Sequence, residues 1–358
     1  MTFRIFENDA IQKYKAQFAL AQRYVYMAAI AYDFETDLLG GTTGSGQQFL
    51  TSIIQQQSLG EMDGANPVVG VAGLADPLAQ MGQDFAVLKG QLGFNNPQTE
   101  TGKFSLRYGL FRQQTGASNV IPINGTFTND WQTELKNHVV PDLWQIPEFV
   151  RYCRPFAPQS AGAQPGLVIP FGTTITYGLN FFGWPLSGGD SAYDPTLFTT
   201  KVRSVGIWFD GYDNSGLSTT PRIYLIPVGY DTMRSPTDGE TVRFWRVQDQ
   251  AIPVPFPLGA STEAAANYIP MNNSLSGTLN QIRQFSSFLG YTDQGANIDP
   301  SEVTTDSRLI GRSVWNTQWM LIIPGGTLLN DPNAGLQAFI NSVSDIKIFF
   351  QTYSYSGD

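Results

Sequence analysis

The chain has 358 residues, more than a single hydrophobic core usually accommodates, so it should divide into more than one unit. Only 14% of its residues are charged, the formal net charge is −9, and the 21 Lys and Arg form no dense basic run, which argues against a nucleic-acid partner. One cysteine excludes an internal disulfide, one histidine excludes a histidine-built metal site, and no run approaches the about 18 consecutive apolar residues of a transmembrane helix.

The first hundred residues read as helical. Ile11, Phe18, Val25, Tyr32 and Leu39 recur at seven-residue spacing, with Tyr14, Ala21 and Ala28 following the first three of them, which places all eight on one helical stripe. Leu20, Met27 and Phe34 make a second stripe and Tyr24, Ala31 and Leu38 a third, so the C-terminal half of this helix is apolar most of the way round. Spanning about residues 7–39, it would be roughly 50 Å long. The glycine-rich turn Gly40–Gly46 lacks the Lys-Ser or Lys-Thr of a phosphate loop and reads as a connection, after which Phe49, Ile53 and Ile54 mark a short middle helix. A second seam, Leu78, Met81, Phe85, Leu88 and Leu92, opens at Asp76-Pro77 and closes at Gly93. Two arrangements satisfy these stripes. Either the helices fold on one another, or further copies of the chain complete the seams and make it a homo-oligomer.

A connecting region over 101–165 follows, with a strand at Phe104–Phe111, a helix from about Asn129 to Val139 stopped by Pro141, and a packing segment of Trp144, Ile146, Phe149 and Tyr152. From about Leu167 the apolar period falls to two, in Ile175–Phe181, Val202–Phe209, Ile223–Val228, Val242–Val247, Trp315–Ile323 and Ile346–Thr352. The stretch from about Ala260 to Asp306 is long for a loop and offers a strand near Gln281–Phe288. The whole predicts an α+β protein: a coiled-coil-like helical hairpin at 1–100, the connecting region, and a two-sheet antiparallel, jelly-roll-like β-sandwich at 166–358.

Residues that carry chemistry are sparse. His138 falls in the last turn of a predicted helix and Cys153 lies between Arg151 and Arg154, and the sequence places no catalytic partner beside either. The reading is a non-enzyme with no cofactor. Asp210 and Asp213, with Asn214 and Ser215, offer calcium-type oxygen ligands in a turn that an Asx hydrogen bond explains equally. Trp208, Tyr212 and Trp245 belong to a group of rings, with Trp184 and Tyr230, that would serve either a core or a stacking platform. With Arg243 and Arg246 they form the candidate patch for a protein partner or a glycan. Asn124 and Asn272 begin sequons. The opening through Arg4 and Glu7 has no apolar signal-peptide core, so a secreted or extracellular product would leave the cytoplasm by a dedicated route.

The end of the chain, Asp306-Ser307-Arg308-Leu309 through Trp319-Met320-Leu321-Ile322-Ile323-Pro324 to Ser344-Asp345-Ile346-Lys347-Ile348-Phe349-Phe350-Gln351-Thr352-Tyr353, resembles the C-terminus of the A component of bacterial insecticidal toxin complexes. Lys201–Val205 and Thr220–Tyr224 are similar to a strand and hairpin partner of the same family, and the resemblance covers roughly residues 198–358. It implies a β-sandwich at the head of a pentameric, helix-walled translocation channel, where the B and C components dock. The shell, receptor-binding insertions and apolar pore loop of that family have no counterpart in these residues, so the expectation is a C-terminal module or a stand-alone relative.

Overall fold

The computed structural model describes residues 2–39, 44–64, 66–91, 98–113, 131–153, 162–188, 190, 194, 196–212, 215–218, 221–235, 242–246, 252–254 and 312–356. Helices α1 (Thr2–Thr36), α2 (Gly44–Gln55) and α3 (Ala75–Gln91) form a helical layer, with the short strands β1 (Met62–Asp63) and β2 (Asn66–Pro67) paired between α2 and α3. Then come β3 (Gln98–Ser105), α4 (Trp131–Asn137), β4 (Val139–Val140), β5 (Gly166–Phe171), β6 (Leu197–Asp210), β7 (Ile223–Pro227), β8 (Asp231–Arg234), β9 (Val242–Trp245) and β10 (Ile252–Val254). The chain closes with β11 (Trp319–Pro324), α5 (Gly325–Leu328), α6 (Pro332–Ser342) and β12 (Asp345–Ser356).

The strands form an antiparallel two-sheet body. One sheet has the order β10-β7-β11-β5-β4 and the other β3-β12-β6, while β8 and β9 make a separate ribbon. At the centre of the larger sheet β11 sets Leu321 between Ile169 and Leu225, and at the centre of the smaller one β12 sets Ile348 between Phe104 and Ile207. Alternation then does the packing: Ile346, Ile348 and Phe350 meet Ile169, Leu225 and Leu321 in one core. The larger sheet is covered on its other face as well, where Val168, Tyr224, Ile226, Met320 and Ile322 pack on Leu143, Phe149 and Cys153. That second cover explains why β11 is apolar throughout instead of alternating. The segment Trp144–Tyr152, expected as packing material, is this cover.

The helical layer has its own small core of Val25 and Ala29 from α1, Leu50 and Ile53 from α2, and Leu74 and Met81. Gln22 extends it by donating from Nε2 to the carbonyls of Ile53 at 3.0 Å and Ile54 at 2.7 Å, which satisfies the open C-terminal carbonyls of α2. The helices therefore fold on one another, as the first of the two expected arrangements has it. They do so only along part of α1: every side chain from Arg4 to Gln17 is exposed.

Several expected boundaries move, each for a local reason. The strand over Phe104–Phe111 stops at Ser105, where Leu106–Leu110 coil into one π-helical turn capped by Ser105 Oγ, which accepts from Tyr108 N at 3.0 Å. Ile175–Phe181 is no strand. Ile175 and Phe181 enter the core while Tyr177 is 83% exposed between them, and Thr174 N reaches back to Phe181 O, so the alternation encodes a looped turn. The helix over 129–139 is found from Trp131 to Asn137, because Val139 and Val140 pair with Leu167 and Gly166. Asp76 sits inside the first turn of α3 and accepts from Gly70 N. Conversely α6 was not expected, although Asp331-Pro332 is a strong helix start and Leu336, Phe339 and Ile340 supply its buried stripe. Asn124, Asn272, Gln281–Phe288 and Asp306–Leu309 lie outside the described residues.

Candidate functional site

The densest polar arrangement lies where the end of α1 meets the sandwich. Three carboxylates, Asp33, Glu35 and Asp37, crowd the C-terminal turn of α1, the end of a helix where the backbone dipole disfavours negative charge. Such a turn needs cations from elsewhere. Asp37 ends the helix by taking a left-handed backbone, φ 53°, which aspartate tolerates better than most residues, while Asp33 Oδ1 accepts from Leu39 N at 2.7 Å.

The sandwich supplies the cations. Lys201 of β6, fully buried, donates from Nζ to Glu35 Oε2 at 2.7 Å and to the Glu35 carbonyl at 2.9 Å, and lies 4.9 Å from the centroid of the Phe34 ring. From β9, Arg243 donates to the Asp37 carbonyl and stands 3.5 Å from its carboxylate, and Trp245 donates from Nε1 to Asp37 Oδ1 at 3.3 Å. Ser235 Oγ adds a bond to the Asp37 carbonyl at 3.0 Å, and Tyr355 OH one to Glu35 Oε1 at 3.3 Å. Apolar contacts frame the polar ones: the Phe34 and Trp245 rings meet edge to face at 5.5 Å, and Leu38 and Phe85 pack on Tyr353 and Tyr355 of β12. Behind Lys201 a second buried pair closes the group, Arg312 to Asp231 at 2.8 Å, with Asn316 Nδ2 on the same carboxylate at 2.8 Å.

Burial decides the electrostatics. Asp37 is fully buried and the pKa of its carboxyl is pushed up to about 7, first by desolvation, which the Arg243 charge partly offsets and the neighbouring Asp33 reinforces. Its Oδ2 has no hydrogen-bond partner among the described residues. Desolvation pulls Lys201 below the usual lysine range, against the opposing pull of Glu35. Elsewhere burial raises Asp345 to about 6, and Ser105 Oγ and Arg107 N, both donating to that carboxylate, hold it back.

The proposed binding residues disperse. Arg243 and Trp245 come together, but they face the chain's own helix, and the exposed side chain of β9 is Phe244 at 64%. Trp208 is fully buried on the smaller sheet, 3.9 Å from Phe349 between ring centroids, in space left by Gly206, where a Cβ would sit 2.2 Å from the indole. Tyr212 is interior and donates to Ser218 O at 2.6 Å. Of the five, Arg246 is the one left exposed. Asp210 pairs with Lys347 at 2.8 Å, and Asp213 lies outside the described residues. Among the described residues no group of three or more His, Cys, Asp or Glu is arranged to hold a metal ion.

The seam residues divide along α1: Ile11 is exposed, Phe18, Tyr32 and Leu39 half-buried, and Val25 buried on α2 and α3. On α3, Met81 is buried, Phe85 half-buried and Leu78 partly exposed, while the Leu88 side chain lies outside the description. Cys153 is buried in the second core, where desolvation pushes its thiol up, opposite to what the flanking arginines would do. His138 lies just past α4 with Nδ1 2.9 Å from the Glu134 carbonyl.

Glu35, Asp37 and Lys201 were not among the residues singled out for a site. The signal available was the crowding of acids at a helix C-terminus; the partners are 166 and 206 positions away and carry no local mark. Among the described residues no helix is long and apolar enough to cross a membrane. No family model, curated protein or solved structure matches the chain.

Proposed function

We propose that this chain is a non-catalytic assembly and partner-docking module, in which α1 joins copies of the chain and the sandwich docks another protein. The observation that carries the first half is the surface of α1. Ile5, Phe6, Ile11, Tyr14, Leu20, Tyr24 and Met27 are 44–68% exposed. They lie on more than one side of the helix, Ile11 and Tyr14 roughly opposite Leu20, Tyr24 and Met27, so α1 carries open apolar stripes and not one patch. Leu20, Tyr24 and Met27 follow one another at i, i+4, i+7 on the side of α1 turned away from the core it shares with α2 and α3. A second copy offering the same stripe is the simplest cover. On the sandwich, Tyr230, Phe244 and Arg246 are exposed around the β8–β9 ribbon and form the surface we assign to a protein partner. This division of labour is also what the resemblance of the final strands to toxin-complex A components implies.

Sedimentation velocity on the full chain tests the reading. At tens of micromolar the wild type is expected to run as an oligomer, and the Leu20→Ser, Tyr24→Ser double variant to fall towards the monomer with unchanged circular dichroism. A wild type that stays strictly monomeric would remove the proposal.

A further inference from the structure

At the junction between α1 and the sandwich the carboxylates are not equally well met. At the end of α1, Glu35 meets Lys201 from β6 and Asp37 meets Arg243 from β9, with Asp33 beside them; Asp231 of β8 is held by Arg312, and Tyr355 of β12 adds a neutral donor to Glu35. Glu35 has a lysine at 2.7 Å, whereas Asp37 has an arginine at 3.5 Å and one buried oxygen with no hydrogen-bond partner among the described residues. Asp37 is therefore the less well compensated of the two, just past the last turn of the helix and in a left-handed backbone.

We propose that Asp37 is a proton-operated latch: uptake of one proton at its carboxyl tightens the end of α1 on the sandwich, and loss of that proton loosens it. Neutral Asp37 places no ionised oxygen in a dry site and still accepts from Trp245 and Arg243 through Oδ1 and its carbonyl. The ionised form keeps the same contacts at the cost of desolvation.

The direction follows from linkage. The docked carboxyl titrates at about 7 and a solvated one at its ordinary 3.8. Between these values docking takes up a proton, so docking weakens as pH rises from about 4 to about 7; below and above that window both forms carry the same charge and the dependence stops.

Hydrogen–deuterium exchange of the full chain, read on peptides covering residues 30–39 and corrected for intrinsic rates, measures the opening of this turn. In the wild type the opening constant should rise by close to tenfold per pH unit across the window and then level off. Asp37→Asn should abolish the slope and hold the turn closed at every pH. Arg243→Gln removes the charge that holds Asp37 down and should move the plateau to higher pH. Asp345 also titrates inside this window, but at the other end of β12, so a slope that survives in Asp37→Asn would assign the effect elsewhere and overturn the latch. A wild-type profile flat from pH 4 to 7 would overturn it without any variant.

Discussion

The larger sheet of the sandwich and α1 use the same kinds of side chain in opposite ways. In β11 every residue is buried, between β5 and β7 and under covers on both faces, so Leu321 and Ile322 point in opposite directions and both meet protein. In α1 comparable residues lie on several stripes: Val25 and Ala29 are covered within the chain, while Leu20, Tyr24 and Met27 are left open. An apolar run thus means a finished interior in one region and an unfinished one in the other. What separates them is the number of neighbouring elements, which hydrophobicity alone does not reveal.

The strongest way to test that contrast is to break a buried polar tie of the sandwich. Asp231→Ala strands Arg312 without its carboxylate and leaves Asn316 short of an acceptor; the expected loss is about 3–5 kcal/mol by urea unfolding. Next comes Leu321→Ala, which opens a void at the centre of the five-stranded sheet and should cost about 3 kcal/mol by the same measurement. At the bottom of the scale, Ile5→Ser with Ile11→Ser should change folding stability by no more than about 0.5 kcal/mol when measured on dilute protein. If the α1 variant cost as much as Leu321→Ala under those conditions, the two regions would be one interior and the contrast would fail.

Much of the fold was legible because its signals are local. The period of two in Ile346–Thr352, the unbroken apolar run before Pro324 and the seam of α3 each give an element whose type the structure shows. Legibility failed where a pattern has two structural meanings. Ile175, Tyr177, Leu179 and Phe181 alternate as a strand would, yet they form a folded-back loop that buries Ile175 and Phe181 at its two ends and leaves Tyr177 in solvent. In β9, Val242-Arg243-Phe244-Trp245 fixes which residues share a face but not which face is inside. The expectation turned Arg243 and Trp245 outward; the arrival of Asp37 turns them inward and leaves Phe244 in solvent. The junction was the least legible part. Its members are single polar residues scattered over the chain, each of which taken alone looks like an ordinary surface group.

The overhang of α1 also has a mechanical side. The helix is gripped between Phe18 and Asp37 and projects for the stretch Thr2–Gln17, a rod of roughly 24 Å at about 1.5 Å per residue. A load taken up near Phe6 is therefore delivered as torque, with the core around Val25 and Ala29 as fulcrum and the turn at Asp33–Asp37 as the far end of the beam. Pulling on the overhang would prise Asp37 away from Arg243 and Trp245 before it disturbed any strand of the sandwich.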